Sequence, residues 1–383
     1  MSNTDRSMPV SEAVLVAEAL DHLQRRLPDG WLVEQIDDQG AGDGEGDARF
    51  AIRSASQAAT GTVLVVAKPR FSPAGVDRLL GGLARHLGDV RGMPPILLVS
   101  PFLSPRSREL LAEEDISYLD LTGNVRLVMS HPGLFVETTG AQRQPSKGEE
   151  RRTAGLKGAN AGRIIRFLAE VAPPYRVLDI EAATGVSRGW ISRTLDALVD
   201  EALIRREPRG PIEQVDWPAL LRRRGQSVDL FANATRTYVA PDGAPALLEA
   251  IPISGIADDL YLTGSFAAVR LAPVAAPALL VLYLDPAPRR ASFGEVADRF
   301  GLLPTDEGAN VALLRPDSER PIEDPRTQEG LQMVNIPQLV IDCLSGTGRM
   351  PAEGEALIEW MRANEPAWRS PSLDAYLTTR RDT

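Results

Sequence analysis

The chain has 383 residues, of which 43% are hydrophobic and 25% charged, with a net charge of −10. That balance fits a globular chain of two or three domains and excludes collagen-like, wholly disordered and membrane-embedded classes. One cysteine, Cys343, rules out an internal disulfide, and three histidines are too few for a Cys/His metal cluster. With no signal peptide and no apolar run of spanning length, a cytoplasmic protein without a cofactor is expected.

The chain reads as an α+β multidomain protein: an α/β N-terminal domain over 1–140, a polar linker over 141–158, a central helical module over 159–225 and an α/β C-terminal domain over 226–383. In the first block Ser11 to Leu27 is an amphipathic helix, with Val14, Val16, Leu20, Leu23 and Leu27 apolar. Strands are expected at Trp31–Ile36, Arg49–Arg53 and Thr62–Ala67, a helix at Pro73–Leu87, a strand at Pro95–Ser100 and a helix at Pro105–Glu114. Further strands are expected at Ile116–Leu121, Val125–Met129 and Leu134–Glu137, the first two joined by a Gly-Asn turn that Asp120 caps.

The α-β-β-β-α-β order resembles restriction-endonuclease-like folds of the PD-(D/E)xK superfamily. Such enzymes hold Mg²⁺ with carboxylates beside a strand lysine. Here Lys68 is present, but Val66 stands where the second acid belongs, and Asp47 is the one candidate for the first. The block is therefore expected to be nuclease-like in fold and non-catalytic, with Lys68 an ordinary strand-end lysine.

Arg176 to Val215 carries the strongest signal, a helix-turn-helix followed by a β-hairpin wing. A helix over Ala161–Val171 precedes it. Ile180, Ala183 and Val186 face inward from the first helix, and Ile191, Leu195 and Leu198 from the second. Gly185 takes the turn, and Ser187 is expected to cap the second helix through its hydroxyl. Leu203–Arg206 and Ile212–Val215 form the wing around Pro208-Arg209-Gly210-Pro211, and Pro218–Arg224 is a further helix. Glu181 is unusual: it lies four residues before Gly185, where two packed helices normally call for a small side chain.

This layout is that of a winged helix that enters a DNA groove. Ser187, Arg188, Trp190, Ser192 and Arg193 are then expected to meet bases or phosphates, with Arg188 aimed at guanine; Trp190 could equally pack under the wing. Arg205, Arg206 and Arg209 on the wing, and Arg163 and Arg166 on the preceding helix, are expected to hold the phosphate backbone. Charge distribution agrees, with 16 Lys and Arg against 11 Asp and Glu between Arg143 and Arg224.

In the last block Tyr261–Ala268 places a Gly-Ser at a helix start before a buried strand, Ala278–Leu284. This resembles a nucleotidyltransferase, but a degenerate one: Tyr283 replaces the first acid of the Asp-x-Asp pair and Asp285 alone remains, with Asp258 and Asp259 read as surface residues. Val334–Leu344 reads as a strand leading to a helix over Ala352–Ala363, with Arg349 paired to Asp342.

Taken with Tyr118–Leu127, the wing, Leu262–Ala268 and Asn335–Arg349, the chain resembles bacterial winged-helix regulators related to the AbiEi-type antitoxins of type IV toxin–antitoxin systems. Those place their winged helix first, whereas here a block of about 140 residues precedes it. The resemblance implies a sequence-specific, non-enzymatic DNA-binding regulator acting on double-stranded DNA, as a homodimer because operators are two-fold. It also implies a toxin or small-molecule effector as a further partner. The rival readings are an antitoxin acting by contact and a metal-dependent nuclease delivered by the winged helix.

Overall fold

The structure, a computed structural model, describes residues 11–36, 48–54, 60–87, 94–142, 156, 158–207, 210–287, 290–318 and 320–381. It is a mixed α+β protein that divides into two compact units. The first comprises Met1–Glu149 with Asp200–Ala202, and the second the remainder of Glu150–Thr383. Among the described residues no helix is long and apolar enough to cross a membrane.

The first unit runs α1 (Glu12–Gln24), β1 (Trp31–Ile36), β2 (Ala48–Ser54), β3 (Thr60–Ala67), α2 (Gly75–Leu87), β4 (Ile96–Ser100), α3 (Pro105–Glu113), β5 (Ser117–Asp120), β6 (Val125–Met129) and β7 (Leu134–Thr138). Its seven strands lie side by side in sequence order. β3, β4 and β5 are parallel, and every other neighbouring pair is antiparallel. The sequence dictates the difference. Parallel neighbours need a crossover, which α2 and α3 supply, and strands covered on both faces become unbroken apolar runs such as Val63–Ala67 and Leu97–Val99. β6 and β7 instead alternate, with Phe135 and Val128 turned outward.

One face of the sheet packs Phe50, Ile52, Val65, Val99 and Leu127 against Leu15, Ala19 and Leu23 of α1. The other packs Val66, Leu98 and Tyr118 with Val76, Leu103 and Leu111. The expected Asp120 cap is a buried hub. Its carboxylate accepts the backbone N–H groups of Leu103, Thr122 and Asn124 at 3.0 Å each, the Thr122 hydroxyl at 2.7 Å and the Asn124 amide at 2.8 Å.

The second unit runs α4 (Ala159–Glu170), α5 (Val177–Thr184), α6 (Arg188–Asp200), β8 (Ile204–Arg206), β9 (Ile212–Val215), α7 (Trp217–Gly225), β10 (Ala234–Val239), α8 (Ala244–Ala250), β11 (Leu260–Thr263), α9 (Ser265–Ala268), β12 (Leu280–Leu284), α10 (Phe293–Phe300), β13 (Leu303–Pro304), β14 (Val311–Arg315), β15 (Arg326–Gln328), β16 (Leu331–Met333), α11 (Ile336–Leu344), α12 (Met350–Ala363) and α13 (Leu373–Arg381). β8 and β9 form a separate hairpin. The other strands make a mixed sheet in the order β13-β10-β14-β12-β11-β16-β15.

A single hydrophobic core runs from Ile164 and Leu195 of the helices through Leu220 to Leu282, Leu339 and Leu357. The module over 159–225 and the block that follows it are therefore one packed body. At its centre lies α11, buried from Ile336 to Cys343. The strand expected over Val334–Leu344 is thus a helix. Its apolar run suits either element, and the decision is local: the Asn335 side chain accepts from the Gln338 N–H at 2.9 Å, and Pro337 sits in the first turn where no N–H is missed. Close packing on α11 needs glycine, because a Cβ at Gly225 would stand 2.6 Å from the Leu344 side chain and one at Gly354 2.8 Å.

Candidate nucleic-acid interface

The local chain builds an outward face on α6. Gly185 ends α5 with φ 65° and ψ 10°, the left-handed conformation that only glycine takes without a Cβ clash. The Thr184 hydroxyl donates back to the Ile180 carbonyl at 2.6 Å, which tightens the turn. Ser187 then starts α6 with its carbonyl, which accepts from Trp190 at 2.9 Å and Ile191 at 3.0 Å. Its hydroxyl does not cap: it has no hydrogen-bond partner among the described residues and stays on the exposed face. Ile191, Thr194, Leu195 and Leu198 turn into the core, beside Ile180 and Val186.

The hairpin β8–β9 is extended by a third segment that sequence reasoning missed. Tyr175, between α4 and α5, exchanges backbone bonds with Ile212 at 2.8 and 3.4 Å. Its ring is buried edge-on to Phe167, and burial pushes its hydroxyl well above the usual tyrosine range. Two consecutive prolines hide this short pairing from any strand pattern.

The expected contact residues separate into two sets. Ser187, Arg188, Trp190 and Arg193 are exposed, Ser192 is half-buried, and Arg205 is exposed on the hairpin. Trp190 stacks with a residue of its own helix. The residue is 40% exposed and its ring lies 4.6 Å from the Arg193 guanidinium, which also donates to the Gly189 carbonyl at 3.1 Å. Arg188 extends from the first turn of α6 to Glu181 of α5, with Nε 2.6 Å from Oε2. Glu181 therefore reaches sideways to an arginine and does not stand between the two helices. Arg205 lies 3.9 Å from Glu213 across the hairpin, and Arg206 turns to Asp196 of α6 at 2.5 Å. Arg209 lies outside the described residues, as does Asp47.

The second set is not on this face. Arg166 was expected to touch phosphate, yet it is buried, its guanidinium donating to Gln338 at 2.7 Å and to Glu323 at 3.3 Å. The side chain leaves α4 on its apolar face, between Ile165 and Phe167, and the acceptors waiting there decide its fate. Burial lowers its pKa, and the carboxylates around it partly restore it. Arg163 is partly buried and held by the same Glu323 at 3.1 Å. Behind them Arg224 donates to the Leu156 carbonyl, and burial beside Arg166 depresses its pKa to about 10.

This inward chain continues to Asp342, which accepts from Gln338 at 2.7 Å, Thr263 at 2.6 Å and Tyr283 at 3.1 Å. Arg349 is not among its partners, because the acid lies on the buried side of α11. Desolvation raises the Asp342 pKa to about 6, the three hydrogen bonds opposing it. Tyr283 thus points into the core. Asp285 and Asp259 are both held by Arg290, at 3.2 and 2.8 Å, and Asp259 is mostly covered, contrary to the expected surface position. In the first unit, Lys68 pairs with Glu12 at 3.3 Å and Val66 is buried.

No family model, curated protein or solved structure matches this chain.

Proposed function

We propose that the chain is a sequence-specific transcriptional regulator that binds double-stranded DNA through the winged helix formed by α4, α5, α6 and the β8–β9 hairpin. One observation carries this reading: the start of α6 exposes Ser187, Arg188, Gly189 and Trp190 together, while the rest of the helix is anchored by fully buried Ile191, Leu195 and Leu198. A rigid helix whose exposed first turn carries an arginine and an aromatic ring suits the major groove, and Arg205 on the hairpin suits the phosphate backbone. A homodimer would match a two-fold operator.

The flanking regions are read as non-enzymatic. The first unit is nuclease-like in its αβββαβ order, but the place of the second acid belongs to Val66 in a packed core. The last block is read as a degenerate nucleotidyltransferase, with Tyr283 committed to Asp342 and the charge of Asp285 answered by Arg290. Plasmid cleavage in Mg²⁺ or Mn²⁺ that disappears in Lys68→Ala would refute this part.

The DNA reading is tested by selecting duplexes from a randomised library and measuring retention in gel shifts. Arg193→Ala and Arg205→Ala are expected to weaken retention, each by about 1 kcal/mol or more, with a shallower salt dependence than the parent protein. Absence of any retained duplex at low salt would end the proposal.

A further inference from the structure

We propose that Glu181 is a positioning residue for DNA reading: it holds Arg188 so that the pair recognises one guanine in each half-site, a step that rests on the DNA-binding reading above. Arginine side chains on a surface sample many rotamers, and ordering one on contact costs free energy. Here the ordering is already done. Glu181 Oε2 takes the Arg188 Nε at 2.6 Å, from the last turn of α5 to the first turn of α6. The two terminal nitrogens of Arg188 have no partner among the described residues, and its side chain is 66% exposed. What remains free is a planar fork of N–H donors fixed at its other end.

That fork selects a base. In the major groove guanine offers two adjacent acceptors, O6 and N7, which match two parallel donors. Adenine sets an N–H₂ donor beside its N7, cytosine offers a donor, and thymine offers one acceptor beside a methyl group, so each mismatches a pair of donors. The carboxylate also offsets the charge of Arg188, so the unit adds little to general attraction for phosphate and acts mainly on discrimination. The neighbouring Arg193 differs: it is stacked on Trp190 and bonded to a carbonyl, with no acid holding it among the described residues. The same contact accounts for the acidic residue at Glu181, where helix packing alone would favour a small side chain.

A purely structural role predicts something else. Arg188 is exposed and Glu181 half-buried at the surface, and ion pairs at a surface contribute little to stability. A role in folding would move affinity for all duplexes together, whereas positioning moves one base preference.

The test uses the full chain and a duplex selected by it from a randomised library, with each guanine replaced in turn by 7-deazaguanine, which lacks the N7 acceptor. For the parent protein, one position per half-site is expected to weaken binding about tenfold on this replacement. Arg188→Ala abolishes that penalty, and Glu181→Gln shrinks it to a few-fold without weakening binding to unselected duplex. Matching thermal melts show that both variants are folded. An undiminished penalty in Glu181→Gln, equal weakening on every duplex, or no sensitive guanine overturns the proposal. If no duplex is selected at all, the DNA-binding reading itself fails, a result distinct from binding without a guanine preference.

Discussion

Arg166 and Arg188 lie 22 residues apart in one basic stretch, and they have opposite lives. Arg188 sits on the outer turn of α6, its terminal nitrogens in solvent. Arg166 is enclosed by Gln338, Glu323 and the apolar side of α4. The same type of side chain stands at the surface in one place, where we propose that it serves recognition, and holds the assembly together in the other; burial with waiting acceptors makes the difference. A basic segment is therefore not one functional surface. Local positive charge counts arginines without regard to which way their helix turns them.

The contrast can be broken most sharply at Arg166. Arg166→Ala leaves a cavity in the core, strips buried Gln338 of a donor and takes one arginine from Glu323, which Arg163 also holds, so it is expected to lose about 3–5 kcal/mol in denaturant unfolding, against no more than about 0.5 kcal/mol for Arg188→Ala. Similar losses in the two variants would erase the distinction.

A second measurement follows Asp342. Its folded pKa of about 6 lies above the ordinary 3.8, so folding favours the protonated acid. The carboxyl leaves stability untouched below about pH 4 and reduces it as pH rises towards 6, by up to about 3 kcal/mol, after which the cost is constant. Asp342→Asn should flatten this part of the stability profile. A profile as steep as the parent's would show that another group titrates there.

The smallest expected effect is at the outer face. Trp190→Ala removes an exposed ring and its contact with Arg193, a change of about 0.5–1 kcal/mol in stability at most. Retention on selected duplex should nevertheless fall. An unaltered gel shift would remove Trp190 from the reading face.

Much of the first unit was legible because its strands carry strong period or strong apolar runs, and its helices begin at Ser11 and at Ser104-Pro105. The α5–α6 pair was legible through Gly185 and the spacing of Ile191, Leu195 and Leu198. The second sheet was harder. β10, with the sequence ATRTYV, has three consecutive polar residues and so no apolar period, and β15 and β16 have three residues each, too short for a period. α11 read as a strand because burial on every side erases the helical alternation. The inward turn of Arg166 was not legible at all, since its partners lie 157 and 172 residues further on.

The sequence-ordered sheet of the first unit has a temporal meaning. Each strand pairs with the one made just before it, so that unit can assemble as it leaves the ribosome, with little delay from distant pairing. The helices α4 to α7 have no such independence, because α7 rests on Leu344 and Arg166 waits for Gln338. The face proposed to read DNA is thus completed only once Gln338 and Leu344 have been made, and a chain interrupted before them would carry its arginines without the scaffold that aims them.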